Sequence, residues 1–406
     1  MSILRKIWVH TLLSSALLTA TTIISAPALA QDKVVIGAAV SLTGPFSREG
    51  QLLRNGYDVW KDEVNKKGGM VVGEKKIPVQ IIYYDDESKA QTSARLTERL
   101  ITEDKVDFLF GPYSSGIATA TASISERYRK LTLAPMATAN SLYTRGYKYI
   151  FTPSPLADSG INPLISLAQT FDPKPLRIAI VGPDDLFPNV TSDGGRKFAE
   201  SQGFTVAYQG KYPKTAGDLS AVATQIKAVN PDMVLATGYA QDTLLLLKSM
   251  RELRVNPKMV GVAMSIGVPD FVQALGSGAS GLMGVDYWVP NLSYKDELFG
   301  NSAGFARVFE EKYKAAPTYH AASGGAAGVV LQIAVAKAGS LDTEAVRRAM
   351  LDMNAETFYG MVKFDANGTN TLATASASQI IDGRPQVVYP DVVRQAQPVY
   401  PIATAP

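Results

Sequence analysis

The chain has 406 residues, 46% of them hydrophobic, with 40 Lys+Arg against 37 Asp+Glu and no cysteine. That length and apolar content suit two ordinary domains with sizeable cores, and the near balance of charge gives no electrostatic case for nucleic acid or an anionic membrane surface. The missing cysteine excludes disulfides, thiol nucleophiles, Cys-based zinc sites and the lipid-anchored form of an exported bacterial protein, which needs a cysteine just after its leader.

In chain order, Arg5 and Lys6 precede an apolar run from Ile7 to Ile24 and then Ala28-Leu29-Ala30. This layout predicts a secretory leader over residues 1–30, cleaved after Ala30, and therefore work outside the cytoplasm. Beyond it the reading finds no apolar run near 18 residues. The expectation is a freely diffusing protein confined by an outer membrane, in the periplasm of a Gram-negative bacterium.

The next segments alternate strand, loop and helix. Val34-Val35-Ile36-Gly37 starts a buried strand, and Leu53, Tyr57, Trp60 and Val64 mark one face of a helix closed by Gly68-Gly69. Val79, Ile81 and Tyr83 alternate as a strand ending at Asp85-Asp86. A helix through Leu96 and Leu100 precedes a strand over 106–110, a helix over 115–128 and a short strand over 131–134. The rhythm restarts at Arg177 with strands over 178–181, 204–209, 233–236 and 259–262. Helices fall between them over 190–201, behind Asp218, and over 244–253. Two such runs predict two doubly wound α/β lobes with parallel sheets. Phe151-Thr152-Pro153-Ser154-Pro155 and Tyr287-Trp288-Val289-Pro290 read as crossing strands between them. Helices follow over 301–315, 318–338 and 343–352, then a turn at 364–368, extended pieces at 379–381 and 387–389, and a Pro/Ala-rich loose end over 391–406.

Ligands of parallel α/β domains sit at the carboxyl ends of strands, which directs attention to three loops. They are Ser41-Leu42-Thr43-Gly44, Gly111-Pro112-Tyr113-Ser114-Ser115-Gly116 and Ala134-Pro135-Met136-Ala137-Thr138. The second opens a helix, so its amides and serine hydroxyls suit an anion, although such a loop also serves as a plain helix cap.

The order and spacing of these loops resemble the periplasmic leucine/isoleucine/valine-binding protein family over everything that follows residue 30. The resemblance is carried by VVIGAAVSLTGPFSREGQLLRNGYDVWKDEVNKKGG, YYDDES, VDFLFGPYSSG, LAPMATAN, PTYHAASGGAAGVVLQIAVAKAG and VKFDANG. It implies the type I periplasmic-binding-protein fold, with two lobes joined by three crossing strands and a ligand cleft between them. Lobe 1 would comprise 31–152 and 289–362, and lobe 2 153–288 and 363–390. It also implies a monomeric receptor, without cofactor, for a small carboxylate delivered to an ABC permease and its ATPase subunits. Ser115, with Ser114 beside it, matches the serine that holds the ligand carboxylate; Met136 and Thr138 match the carbonyl and threonine that meet the ammonium. Phe187 and Tyr239 match the covering aromatics, with Tyr113 and Met264 completing an aromatic, soft wall together with Tyr287 and Trp288.

One departure bears on the ligand. Relatives place a glutamate after a second-lobe strand to neutralise the ammonium, but Val260-Gly261-Val262-Ala263-Met264-Ser265 holds no acid. A buried ammonium without a counter-charge is costly. Either Glu49 supplies that charge, with Arg48 beside it able to pair with a second carboxylate, or the ligand is an aromatic or other organic acid lacking an α-ammonium. A sensing receptor subunit of the same fold is a further alternative. Catalysis is not expected. The only histidine beyond residue 30 is His320, no G-x-x-x-x-G-K-[ST] loop occurs, and Asp85-Asp86-Glu87 reads as an acidic turn rather than a metal site.

Overall fold

The computed structural model describes residues 32–402; the leader expected over 1–30 lies outside the described residues. Two sheets organise the rest. The first is five-stranded and parallel, formed by β1 (Val34–Val40), β2 (Val79–Asp85), β3 (Phe108–Phe110), β4 (Thr132–Leu133) and β5 (Ile150–Phe151). The second has seven strands, β6 (Arg177–Pro183), β7 (Thr205–Tyr212), β8 (Met233–Ala236), β9 (Met259–Val262), β10 (Met283–Asp286), β11 (Ser376–Ile381) and β12 (Arg384–Tyr389). Strands β6 to β10 are parallel, and β11 and β12 close the edge in antiparallel fashion. In each sheet the opening strand lies between the next two, β1 between β2 and β3 and β6 between β7 and β8. Each sheet therefore has a crevice where successive connections depart to opposite sides.

The sequence explains the strands directly. Ile178, Ile180, Met233, Leu235, Val260 and Val262 are all buried, as strands covered on both faces require. Helices α1 (Ser47–Lys66), α2 (Ala90–Thr102) and α3 (Ser115–Arg127) flank the first sheet; α4 (Asn162–Ala168), α5 (Leu186–Ser201), α6 (Ser220–Val229), α7 (Ala240–Glu252) and α8 (Pro269–Leu275) flank the second. Helix α5 begins four residues before the expected 190. Pro188 looks like a breaker in the sequence, but a proline in the first turn has no intrahelical partner to lose, and Asp185 caps the helix by accepting from the Leu186 amide at 2.9 Å.

The chain passes between the sheets three times, over 152–155, 287–290 and 363–375, with Thr152 bridging Thr369 where two passages run side by side. Between the second and third passages α9 (Ser302–Tyr313), α10 (Tyr319–Ala338) and α11 (Thr343–Leu351) pack back onto the first sheet's side. Helix α10 corrects one expectation. Its 20 residues are long and apolar enough on average to cross a membrane, because His320, Ser323, Gln332 and its glycines interrupt the run without making it polar; 72% of that window is buried inside the protein. It lies against α1 so closely that a Cβ at Gly56 would stand 1.9 Å from the Ala321 carbonyl oxygen, and one at Gly328 2.1 Å from the Trp60 ring.

The tail over 391–402 is docked rather than loose. Val399 and Gln379 exchange two hydrogen bonds, of 2.7 and 2.8 Å, the Ile402 amide donates to the Lys258 carbonyl at 2.9 Å, and Tyr400 stacks on Phe171 at 4.1 Å. Tyr400 and Ile402 give an otherwise Pro- and Ala-rich end its apolar anchors.

Candidate functional site

The carboxyl ends of β1, β3 and β4 meet those of β6, β8 and β9 across a cleft. On the first side the loop after β1 is braced by the acidic turn that follows β2. Ser41 Oγ donates to Asp86 at 2.7 Å, Thr43 Oγ1 donates to Asp85 at 2.7 Å, and the Leu42 and Thr43 amides donate to Asp85 at 2.9 and 3.1 Å. Both carboxylates thus serve the loop. Among the described residues no group of three or more His, Cys, Asp or Glu side chains is placed to hold a metal.

The loop after β3 is fixed by Tyr57, whose hydroxyl donates to the Gly111 carbonyl at 2.9 Å. Ser114 caps α3, its hydroxyl accepting from the Ile117 amide at 3.4 Å. Ser115 does something different. Its hydroxyl accepts from the Thr138 and Ala139 amides, at 3.1 and 3.2 Å, and so ties the loop after β3 to the loop after β4. With its lone pairs occupied, the remaining bonding group of this buried hydroxyl is its proton, which suits an anionic acceptor.

On the second side Asp185 collects three donors, the Leu186 amide, the Tyr239 hydroxyl at 3.0 Å and Lys214 Nζ at 2.9 Å. Asp242 accepts from Tyr212 Oη at 2.6 Å and from the Tyr239 amide at 2.9 Å, and burial still pushes its carboxyl up to about 6. Rings close the gap. Phe46 meets Tyr239 edge-on at 5.1 Å and Tyr113 at 5.6 Å, while Tyr239 lies 6.1 Å from both Tyr113 and Phe187. Lys214 Nζ sits 4.2 Å above the Phe46 ring, and the Tyr319 hydroxyl donates to the Met264 carbonyl at 2.8 Å, so polar contacts also cross the cleft.

Eight of the residues singled out in the sequence, Tyr113, Ser114, Ser115, Met136, Thr138, Phe187, Tyr239 and Met264, line one small cavity. Its volume is about 10 Å³, room for about one water, so a solute as large as an amino acid fits only after side chains or whole halves move. The other two residues lie elsewhere. Arg48 points across the rim and pairs with Asp270 at 2.7 Å, with both side chains well exposed at 48% and 62%. Glu49 is 6% exposed and stands beside the cavity rather than in its lining. Burial raises its carboxyl; the Arg48 charge opposes that rise and Asp242 adds to it. Tyr287 and Trp288 are likewise buried outside the lining.

Sequence reasoning missed Phe46, Asp185 and Asp242. Their signals were the Gly44-Pro45-Phe46 turn at a strand end, the Asp185 cap position and the Tyr239-x-x-Asp242 capping spacing. Three carboxylates, Glu49, Asp185 and Asp242, stand near the aromatic wall without lining the cavity, and Asp185 is already paired with Lys214.

Comparison with known proteins gives the family and the fold. A family model described as periplasmic binding protein matches residues 33–384. The chain is 26% identical over 391 residues to Leu/Ile/Val-binding protein homolog 7 of Brucella suis, covering 92% of this chain and 96% of that one. Among solved structures, the branched-chain amino acid transporter substrate-binding protein LivJ of Streptococcus pneumoniae, in complex with isoleucine, superposes with a TM-score of 0.76 at 17% identity, over 88% of this chain and 100% of that one. A solute-binding protein of an ABC transporter from R. palustris, in complex with benzoate, superposes with a TM-score of 0.75 at 20% identity, over 90% and 99%.

Proposed function

The chain belongs to the periplasmic binding protein family, and from that membership we propose that it captures an amino acid in the periplasm and presents it to an ABC permease. Lobe 1, at 31–152 with 289–362, and lobe 2, at 153–288 with 363–390, close on the solute about the three crossing segments. The leader is removed after Ala30, and the protein acts as a binder without catalysis, as a monomer. The observation that carries this reading is Ser115. Its hydroxyl is held by two amides from a neighbouring loop, at 3.1 and 3.2 Å, and has its proton free for a carboxylate.

Closure follows from a population shift. A solute touching Ser115 and Thr138 on one side and Phe187 and Tyr239 on the other makes its full set of contacts only when the lobes meet, so it favours that form. The exposed ion pair across the rim is weak by comparison. The exposed Arg48–Asp270 pair contributes about 0–1 kcal/mol. In this reading Glu49, buried beside the cavity, supplies the counter-charge for the solute's ammonium that 260–265 lacks.

The second reading, an organic acid without ammonium, is favoured by that missing acid and by the benzoate in the R. palustris neighbour. A thermal-shift panel of leucine, isoleucine, valine, benzoate and phenylpropanoate separates the two. Stabilisation by the amino acids alone supports the first reading, and stabilisation by the acids alone overturns it. With the best ligand in hand, Ser115→Ala should weaken binding by about 1–3 kcal/mol in calorimetry. Unchanged affinity in a folded variant would remove Ser115 from the site.

A further inference from the structure

A second and larger cavity, of about 640 Å³, is bounded by the loop after β9 and α8, by the second crossing segment and by the entry to α10. It shares no lining residue with the first cavity, and the Tyr319–Met264 hydrogen bond joins their walls. Its size is that of a small-molecule site. Its walls are mainly apolar, with Pro269, Val272, Val289, Pro290 and Pro317 among them.

One charged residue lines it among the described residues, Asp286 at the end of β10. Asp286 is 4% exposed; its Oδ2 is sealed from solvent without a hydrogen-bond partner within 3.5 Å, and the nearby Ser378 hydroxyl holds its pKa down against the effect of burial. Its Oδ1 lies 2.7 Å from where a Cβ at residue 267 would be, so Gly267 leaves the carboxyl room at the cavity wall. A buried carboxyl at the wall of an apolar chamber favours a guest that brings a donor and a positive charge. A second carboxylate would be repelled, and a purely apolar guest would leave the charge of Asp286 uncompensated. Burial raises the Asp286 carboxyl to about 6, which still leaves it largely ionised at neutral pH.

We propose that this chamber binds a small apolar amine, with its ammonium on the Asp286 carboxylate and its apolar body against Val272, Val289 and Pro317. The site is separate from the solute cleft, and the proposal stands whether or not the cleft takes an amino acid. Because the chamber is walled from both sides of the molecule, its occupant would also join the two halves.

The probe is benzylamine, with benzyl alcohol as the uncharged comparator, followed by calorimetry and by methyl NMR of valine- and methionine-labelled protein. Benzylamine should bind saturably, at least tenfold tighter than benzyl alcohol, and should shift the Val272 and Val289 methyl signals. Asp286→Asn should weaken it at least tenfold. Equal affinity for amine and alcohol, no saturable binding, or shifts confined to the Met136 and Met264 methyls would overturn the proposal, as would unchanged affinity in a folded Asp286→Asn variant. The wild-type comparison keeps the test intact if that variant does not fold.

Discussion

Trp60→Ala is expected to destabilise the protein by about 3–5 kcal/mol in urea unfolding. Trp60 is 0% exposed on α1 and meets Phe110 edge-on at 5.6 Å, and its Nε1 donates to Gln332 Oε1 on α10 at 3.2 Å. The indole fills the space that a side chain at Gly328 would otherwise take. Its removal leaves a cavity facing Gly328, which has no side chain to fill it, and strips Gln332 Oε1 of its Trp60 donor. Partial collapse normally moderates such losses, and here the α1–α10 backbones are already in contact at Gly56. The effect therefore belongs at the upper end of the range. A loss below about 1 kcal/mol would show that this seam is not part of the core.

His320→Gln should change how stability depends on pH. His320 is fully buried, and burial, with a further push from Arg48, holds its pKa down to about 3. The unfolded chain titrates near the ordinary 6.5, so between about 6.5 and 3 the unfolded form binds a proton that the folded form refuses. The imidazole's contribution is present above 6.5 and is lost as pH falls, at about 1.4 kcal/mol per unit, several kcal/mol in total. Asp242 and Asp286 act with the opposite sign. Their folded values, raised by burial to about 6, make the folded form the better proton binder between about 4 and 6. The wild-type curve mixes these effects, whereas the difference between wild type and His320→Gln isolates the imidazole. That difference should move against the wild type by about 1.4 kcal/mol per pH unit below 6.5. A difference that stays flat from pH 7 to 4 would mean that His320 is not held neutral by the fold.

The fold was legible because parallel strands buried on both faces leave unbroken apolar runs, such as Ile178-Ala179-Ile180-Val181, and because Leu53, Tyr57, Trp60 and Val64 repeat at helical spacing. Helix α10 was found by its extent rather than its periodicity, since it is buried nearly all round. The misreadings have one local and one long-range origin. Whether Pro188 breaks a helix depends on Asp185 standing in front of it, and whether a Pro/Ala tail is loose depends on Phe171 and Gln379, far away in the chain. The site shows the same division. Tyr113, Ser115 and Thr138 announce themselves by lying at strand ends. The outward pairing of Arg48 and the approach of Asp242 to Glu49 are set by how two halves meet, which spacing within one half does not encode.

Small-angle X-ray scattering addresses the central claim most directly, using protein unfolded and refolded to strip bound solute and then saturated with the strongest ligand of the thermal-shift panel. Hinged capture predicts a smaller radius of gyration on saturation, and loss of that compaction in Ser115→Ala at the same ligand concentration. Identical scattering with and without a ligand that calorimetry shows to be bound would contradict it.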